Sequence, residues 1–302
     1  MTTSTETRVI PTKRRQSFGK WFLTVGWKHV AGWVVSLYAI FPILYIMSTA
    51  LSQAGSVSSG VLFNEFYLGN FTALFAPENQ HDRPFILWIV NTVTIASITA
   101  LASVFISALA AYSFSRQRFF GRRGGLLTLI LVQMFPSILG LVAIYGILSE
   151  ITKYFPALGL GSTWGLILIY LGGSLGGGTY LMYGFFNTVP KELDEAAKID
   201  GATHTQIYFQ IILRLVSPIL AVMALLSFIG TVSDYILPSV VFNKPEQQTL
   251  AVGLGSFIDQ PYSKNWAMFC AGAIITATPV VALFLILQRY IVSGLVGGAV
   301  KG

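Results

Sequence analysis

Residues 192–202, Glu192-Leu-Asp-Glu-Ala-Ala-Lys-Ile-Asp-Gly-Ala202, form the segment that decides how the chain is folded. The segment holds four acids and one lysine, whereas charged residues make up only 10% of the 302-residue chain. Hydrophobic sequence precedes and follows it. Because charged side chains are costly in hydrocarbon, such a segment indicates a place where the chain leaves the lipid and contacts water or another protein.

The composition excludes an ordinary soluble domain. Hydrophobic residues make up 54% of the chain and charged residues 10%, compared with about 25% charged residues in soluble domains. Several apolar runs are long enough to cross the roughly 30 Å of hydrocarbon in a bilayer. We therefore predict an all-α fold, a polytopic membrane protein with six transmembrane helices. The predicted spans are residues 30–49, 86–112, 126–148, 164–184, 215–237 and 267–288.

The basic residues orient the predicted spans. If both termini are cytoplasmic, the cytoplasmic segments hold all but four of the 19 lysines and arginines. The four in the outside loops are Arg83, Lys153, Lys244 and Lys264. Such a bias orients short-looped spans during insertion. The net charge of +7 is therefore attributed to membrane topology rather than to a nucleic-acid surface.

The predicted organisation has a cytoplasmic tail at 1–29, a transmembrane domain at 30–290 and a second cytoplasmic tail at 291–302. A coupling loop at 185–214 lies within the transmembrane domain. The basic first tail is followed by a long apolar span without a small-residue exit. This arrangement is typical of a retained signal anchor rather than of a cleavable signal peptide.

The sequence of the coupling loop predicts a helix that ends at a glycine. Asn187 or Thr188 is suited to cap a helix over residues 190–200, in whose first turn Pro190 is tolerated. Gly201 is placed to end this helix with a positive φ angle.

One face of the predicted helix is small and mostly apolar, because Leu193, Ala196, Ala197 and Asp200 recur at helical spacing. Such a face lets the backbone of another protein approach closely, and the neighbouring acids give the contact polarity. The residues alone leave two interpretations open. The helix is either a docking element for another protein or a solvated surface helix.

A second helix is predicted to begin near Thr203 and to merge into the fifth span. Tyr208 lies on this second helix, and Pro218 falls in the first turns of the span.

The coupling loop resembles the EAA motif of the membrane subunits of binding-protein-dependent ABC importers. The residues that carry the resemblance, and that it implies couple the chain to an ATPase, are Glu195, Ala196, Ala197, Asp200, Gly201, Ala202, Tyr208 and Pro218. Two positions depart from the family pattern. Tyr208 stands where phenylalanine is usual, and Arg214 stands where proline is usual. Arg214 is expected to leave the helix that enters the fifth span unbroken.

Other segments are similar to the smaller permease of maltose and maltodextrin importers, namely Tyr170–Gly173, Thr249–Leu254 and Ser293–Gly302. The resemblance implies a type I ABC importer permease in a bacterial cytoplasmic membrane. It implies four kinds of partner: a second homologous permease, two copies of an ATP-binding subunit, an extracytoplasmic sugar-binding protein and membrane lipid. It also implies that the tail residues Gly297, Gly298 and Lys301 contact the partner permease or the ATPase. Trehalose importers share this tail, so the sugar is left open.

The sequence predicts no enzyme, cofactor or metal site in this chain. No Gly-x-x-x-x-Gly-Lys-[Ser/Thr] phosphate loop occurs, so ATP is expected to bind to the partner subunits. The three histidines, His29, His81 and His204, lack metal-ligand spacing. The single cysteine, Cys270, is expected to be a small buried apolar residue.

Ionisable residues near the predicted span ends argue against an ion-coupled secondary transporter. Asp234 and Arg289 lie near the interfaces rather than at the midplane where proton relays are found. The secondary transporter is kept as an alternative, together with a membrane scaffold or receptor without transport activity.

The fourth span contains five glycines, Gly172, Gly173, Gly176, Gly177 and Gly178. They permit either close helix packing or a break that lines a cavity. The aromatic residues Trp164, Tyr170, Tyr180 and Tyr183 are suited to stacking on sugar rings, but helix packing and interfacial anchoring explain them equally well. The residues that contact the sugar are therefore not predicted.

Overall fold

Helices account for all the regular structure in the part of the chain that our computed structural model describes, which comprises residues 17–53, 61–78, 80, 82–259 and 264–299. The helices are numbered in chain order. Their bounds are α1 Gly19–Ala50, α2 Gly69–Phe75, α3 Phe85–Arg116, α4 Arg122–Gln133, α5 Leu141–Tyr154, α6 Thr163–Phe186, α7 Glu192–Ile199, α8 His204–Leu215, α9 Ser217–Ser233, α10 Ile236–Val241, α11 Leu250–Gly255 and α12 Trp266–Ala299. Short 3₁₀ helices lie at Ser137–Gly140, Pro156–Leu158 and Pro245–Gln247.

Among the described residues, five helices are long and apolar enough to cross a membrane. The number becomes six if the bent pair α8–α9 forms one span. The five are α1, α3, α5 with the 3₁₀ turn before it, α6 and α12. The prediction of an all-α, six-span membrane protein is therefore confirmed. Large apolar side chains lie exposed along α1, as expected for a surface that faces lipid or another subunit.

The first helix begins earlier than the predicted span. α1 starts at Gly19 rather than at residue 30, and a π turn at Phe22–Gly26 carries the helix onward without a break. Exposed apolar side chains such as Leu23 and Val25 extend its apolar surface. The boundary predicted at residue 29 thus corresponds to no break in the helix.

The third predicted span is not one helix. α4 ends at Gln133 and α5 begins at Leu141, so the continuous helix predicted over 126–148 is wrong. The break falls at Pro136, whose backbone is extended with ψ 113°. Proline has no N–H to donate and its ring clashes with the carbonyl four residues earlier, so a regular helix cannot pass through it. α5 then runs on to Tyr154, into the predicted outside loop.

The entry to the fifth span is bent rather than continuous. α8 and α9 meet at an angle of 76° around Val216, whose φ and ψ are −92° and 4°. The unbroken helix expected from Arg214 is therefore wrong, because Pro218 supplies the break that Arg214 does not. In a straight helix the Pro218 ring would clash with the Arg214 carbonyl. That carbonyl instead accepts a hydrogen bond from Ser217 Oγ at 2.9 Å.

α3 is the central helix and packs against both α6 and α9. Two hydrophobic clusters lie at its opposite ends. The Tyr208 cluster, at the carboxyl end of α3, contains Ala108, Ala111, Tyr112, Met182, Phe186, Val189, Ala197, Ile207, Tyr208, Ile212 and Val216. The Trp88 cluster, at the amino end, contains Ala50, Leu74, Phe85, Trp88, Leu250, Leu254, Phe257, Cys270 and Ala271. Cys270 is buried as predicted.

The glycines of the fourth span do not break the helix, and two of them serve close packing. α6 is continuous from Thr163 to Phe186. A Cβ on Gly178 would lie 2.7 Å from Ser107 Oγ of α3, and a Cβ on Gly176 would overlap the Gln133 side chain of α4. Gly172 and Gly173 have open space beside them within the described structure. Close approach of neighbouring helices therefore explains two of the five glycines.

Candidate coupling site

The start of α7 differs from the predicted start. α7 begins at Glu192, and the preceding Lys191 makes no side-chain cap. The two predicted capping residues belong to the end of α6 instead. Asn187 Oδ1 accepts a hydrogen bond from Ser115 Oγ at 2.9 Å, and Thr188 Oγ1 donates to the Phe185 carbonyl at 2.8 Å. The helix predicted over 190–200 therefore starts later than predicted, at Glu192.

The end of α7 has the geometry of a Schellman motif. Gly201 has a φ of +82°, so the predicted positive angle is confirmed. The N–H of Ala202 donates to the Ala197 carbonyl at 2.9 Å, and the N–H of Gly201 donates to the Lys198 carbonyl at 3.0 Å. Ala202 also packs against the cluster that contains Ala197. Helix α8 then begins after Thr203, which forms a capping box with Gln206.

α7 has an inner face and an outer face. The inner face consists of Asp194 and Ala197, which are only 6% and 8% exposed. The outer face includes Leu193, Ala196 and Ile199, and Ile199 is 87% exposed. The single small face predicted from the sequence is therefore wrong, because Ala197 is turned inward onto the Tyr208 cluster while its supposed neighbours are turned outward.

The inner face carries a buried ion pair that was not predicted from the sequence. Arg116 Nε lies 2.6 Å from Asp194 Oδ2, and the two side chains are only 7% and 9% exposed. Arg116 Nη2 also donates to the Val189 carbonyl at 2.8 Å. The ion pair joins residues far apart in sequence, so local periodicity gives no sign of it. Two features of the sequence could have indicated the pair. Arg116 lies just beyond the second predicted span, and Asp194 lies one helical turn before Ala197.

The residues of the EAA-like motif divide into two groups. Glu195, Ala196, Asp200 and Gly201 are exposed, whereas Ala197 and Tyr208 are buried. The Tyr208 ring packs against Tyr112 at a centroid distance of 4.9 Å. Ala202 is half-buried beside the same cluster. Pro218 lies in the first turn of α9. The exposed group is available to a partner, and the buried group holds α7 and α8 to the span helices.

The two predicted glycines of the tail, Gly297 and Gly298, lie in the last turns of α12. Lys301 lies outside the described residues. The contact predicted for this tail therefore stays a prediction.

A second feature is a cavity of about 500 Å³ between α5, α6 and α10. Its polar lining is formed by Tyr170, Asp234 and Ser137. Tyr170 donates to Asp234 Oδ2 at 2.9 Å, while Asp234 Oδ1 accepts from the N–H of Ile236 at 3.0 Å. Asp234 thus caps the start of α10 and is occupied by hydrogen bonds on both oxygens.

The other aromatic candidates are not part of this cavity. Trp164 and Tyr180 are about half exposed, at 54% and 50%. The Tyr183 hydroxyl accepts a hydrogen bond from Arg122 Nη2 at 3.3 Å. Of the four aromatic candidates, only Tyr170 lines the cavity.

This architecture is that of the permease subunits of ABC importers. The chain matches a chain of a bacterial ABC transporter involved in the import of the acidic polysaccharide alginate, with a TM-score of 0.70 and 23% identity, over 91% of this chain and 99% of that chain. A bacterial alginate ABC transporter solved in complex with a periplasmic protein bound to an alginate pentasaccharide matches with a TM-score of 0.62 and 17% identity, over 90% of this chain and 96% of the other. At these identities the likeness concerns the fold.

Residues 103–296 match the family described as the inner membrane component of binding-protein-dependent transport systems, and the chain belongs to that family. The maltodextrin transport system permease protein MdxG of Bacillus subtilis is 40% identical over 89% of this chain and 93% of its own length. The galactooligosaccharides permease GanQ of the same organism is 36% identical over 89% and 92%. The maltose/maltodextrin permease MalG of Escherichia coli K12 is 36% identical over 87% and 91%.

Proposed function

We propose that this chain is one of two permease subunits that together form the path for a maltodextrin-type oligosaccharide into a bacterial cell. ATP is hydrolysed by two copies of a partner subunit on the cytoplasmic side, and an extracytoplasmic binding protein delivers the sugar on the other side. Both termini of the chain lie in the cytoplasm. The proposal is supported by relatives named as maltodextrin or maltose permeases at 36–40% identity.

The outer face of α7 is the observation that carries the coupling part of this proposal. α7 is fixed from within by Asp194 and Ala197, yet Ile199 on the other side is 87% exposed. Burying one such side chain stabilises an interface by about 1.5–3 kcal/mol. Glu195, also exposed, gives the surface a negative charge beside this apolar side chain. A rigid helix with the exposed apolar side chains Leu193 and Ile199 and an acidic border fits a cleft in the ATP-binding subunit.

In this account, movement of α7 opens and closes the sugar path. Closure of the ATP-binding subunits on ATP displaces α7, and the span helices follow as a rigid body because α7 is anchored to the Tyr208 cluster. The complex then alternates between two conformations, and ATP favours one of them. The chain itself performs no chemistry in this cycle.

Substitution of Ile199 tests the docking surface. The variant Ile199→Asp places a charge where an exposed apolar side chain stood, so the permease should still fold while its docking to the ATP-binding subunit is weakened. We expect the variant permease pair to be recovered from membranes in normal amount and to co-purify with much less ATP-binding subunit. The conservative variant Ile199→Val should behave as wild type. Full co-purification and full sugar-stimulated ATP hydrolysis by the aspartate variant would contradict the docking proposal.

The sugar itself needs a separate experiment, because GanQ, named for galactooligosaccharides, is as similar at 36% identity as several maltose permeases. The complex in proteoliposomes should be supplied with its binding protein and with maltotriose, a galactooligosaccharide or trehalose. We expect maltotriose to give the greatest stimulation of ATP hydrolysis and the greatest uptake. Stimulation by the galactooligosaccharide or by trehalose alone would replace the maltodextrin assignment and leave the importer assignment intact.

A further inference from the structure

The structure places strong polar contacts at both ends of α3. At its carboxyl end, Arg116 forms the buried ion pair with Asp194 of α7 at 2.6 Å and donates to the Val189 carbonyl at 2.8 Å. The neighbouring Ser115 hydroxyl donates to Asn187 at 2.9 Å. Within the described residues, these contacts fix the end of α3 to the whole segment between α6 and α7.

At its amino end, α3 holds the segment 245–250 in the same way. The indole N–H of Trp88 donates to the Pro245 carbonyl at 2.7 Å. One turn on, Asn91 Nδ2 donates to the Glu246 carbonyl at 2.8 Å and to the Gln248 carbonyl at 3.0 Å. The Thr92 hydroxyl accepts from the N–H of Leu250 at 2.7 Å. Three side chains of α3 therefore tie this segment, called here the 245–250 loop, to the helix.

Between these two ends, α3 is an unbroken helix of 32 residues. At 1.5 Å per residue its length is roughly 48 Å, and no proline interrupts it. It differs in this from α4–α5 and α8–α9, which break at Pro136 and near Pro218. An unbroken helix with polar contacts at both ends is suited to move as one body, whereas the broken pairs can bend at their joints.

The buried ion pair suits a positioning role better than a stabilising one. Taking two charges out of water is costly, and an apolar pair of similar volume is often as stable or more stable. Asp194 Oδ1 has no hydrogen-bond partner within the described part of the chain, so Arg116 alone compensates the buried carboxylate. Arg116 Nε also makes no hydrogen bond among the described residues, so its contact with Asp194 is purely ionic. The directed contact beside it is the hydrogen bond from Arg116 Nη2 to the Val189 carbonyl, and the two contacts together fix the start of α7 to the end of α3.

We propose that α3 transmits the displacement of α7 to the 245–250 loop at the far end of the molecule, and that the Arg116–Asp194 ion pair is its attachment to α7. The inference rests on the proposed function, because it takes α7 to be the element that ATP moves. It makes Arg116 and Asp194 positioning residues for transport. It assigns transmission to α3, which lies outside the EAA-like motif.

The test places a nitroxide spin label on an exposed residue of the segment that leads into the 245–250 loop and records its spectrum with and without ATP. Lys244→Cys is suitable, because Lys244 is exposed, and the buried Cys270 is replaced by alanine. We expect ATP to change the spectrum in the assembled complex. The variant Arg116→Gln should abolish this change and lower the sugar transported per ATP by on the order of tenfold, within the 5–150-fold range of typical coupling between sites.

Two further variants separate transmission from folding. Arg118→Gln removes an exposed arginine two residues away and should leave both readouts unchanged. The double variant Arg116→Met/Asp194→Leu replaces the pair by apolar side chains and is expected to fold and assemble, yet to lose the ATP-dependent signal. If the assembled double variant kept the signal, or if the label in the parent complex did not respond to ATP, the inference would be wrong.

These outcomes are distinguishable from failure of the proposed function. Stimulation of ATP hydrolysis by the sugar-loaded binding protein is measured first in the unaltered complex. Its absence would contradict the proposed function itself. Its presence, together with an ATP-dependent signal that survives removal of the ion pair, would contradict only the role of α3.

Discussion

Replacing Gly201 by valine isolates the conformational requirement at the end of α7. The φ angle of this residue is +82°, and within the described structure a Cβ built on it meets no atom within 4 Å. A larger side chain is therefore opposed by the backbone conformation of residue 201 itself and not by a clash with neighbouring residues. For an L-residue the left-handed region costs roughly 1–2 kcal/mol, and a β-branched side chain is among the least suited to it.

That cost corresponds to a change of about 5–30-fold in an equilibrium. The strain is relieved if the Schellman motif opens, and opening releases the hydrogen bond from Ala202 to Ala197 and the one from Gly201 to Lys198. α7 would then no longer be held at a fixed angle to α8. We therefore expect Gly201→Val to lower sugar-stimulated ATP hydrolysis by up to about 30-fold.

The assay compares valine with asparagine at the same position in proteoliposomes of the assembled complex. Asparagine tolerates the left-handed conformation, so Gly201→Asn should retain most of the stimulated ATP hydrolysis although it also adds a side chain. If both variants kept the stimulated ATP hydrolysis of the unaltered complex, the conformational argument would be refuted. An equal reduction in both would show that the surface must be free of any side chain, which is a different requirement.

Three further variants test the packing described above by thermal unfolding of the purified permease. Gly253→Ala should destabilise it by about 1–3 kcal/mol through overpacking, because the new Cβ would overlap the Trp88 indole; Gly230→Ala, which has open space, is the matched control and should cost nothing. Tyr208→Phe should leave stability unchanged or raise it, because the buried hydroxyl has no hydrogen-bond partner within the described residues and such a group costs about 1–3 kcal/mol. A marked destabilisation of this variant would indicate a partner for the hydroxyl. Asp234→Ala should lower stability by about 1.5–3 kcal/mol, since it removes the cap of α10 and the acceptor for Tyr170, whereas an unchanged unfolding midpoint would contradict the role of Asp234 as a cap.

The sequence was sufficient to predict the span helices other than the third, and the end of α7. Long apolar runs identify membrane helices whatever their tertiary contacts, because the bilayer imposes their length. The left-handed end at Gly201 was predictable because it depends on local backbone sterics and on the hydrogen bonds of the last turn. The start of α8 at Thr203 was predictable for the same reason, since its capping box is contained within four residues.

The breaks between α4 and α5 and between α8 and α9 were not predictable from the sequence in the same way, and neither was the inner face of α7. Hydropathy does not show a kink, because Pro136 lies within a continuous apolar run. At the fifth span, Pro218 breaks the helix even though Arg214 stands where proline is usual. The orientation of α7 depends on Arg116, which comes from another helix. A buried charge pair between distant segments leaves no periodic trace in the sequence, and the surface that a helix presents to a partner cannot be assigned until its inner contacts are known.

The most direct test of the importer proposal measures uptake of labelled maltotriose and hydrolysis of ATP in the same proteoliposomes, which contain both permeases, the ATP-binding subunits and the binding protein. The account predicts uptake that requires ATP on the side of the membrane where the ATP-binding subunits lie and that persists when a protonophore removes the proton gradient. It also predicts that Ile199→Asp lowers both activities together. Uptake that proceeds without ATP and stops when the ion gradient is removed would contradict the account and identify a secondary transporter.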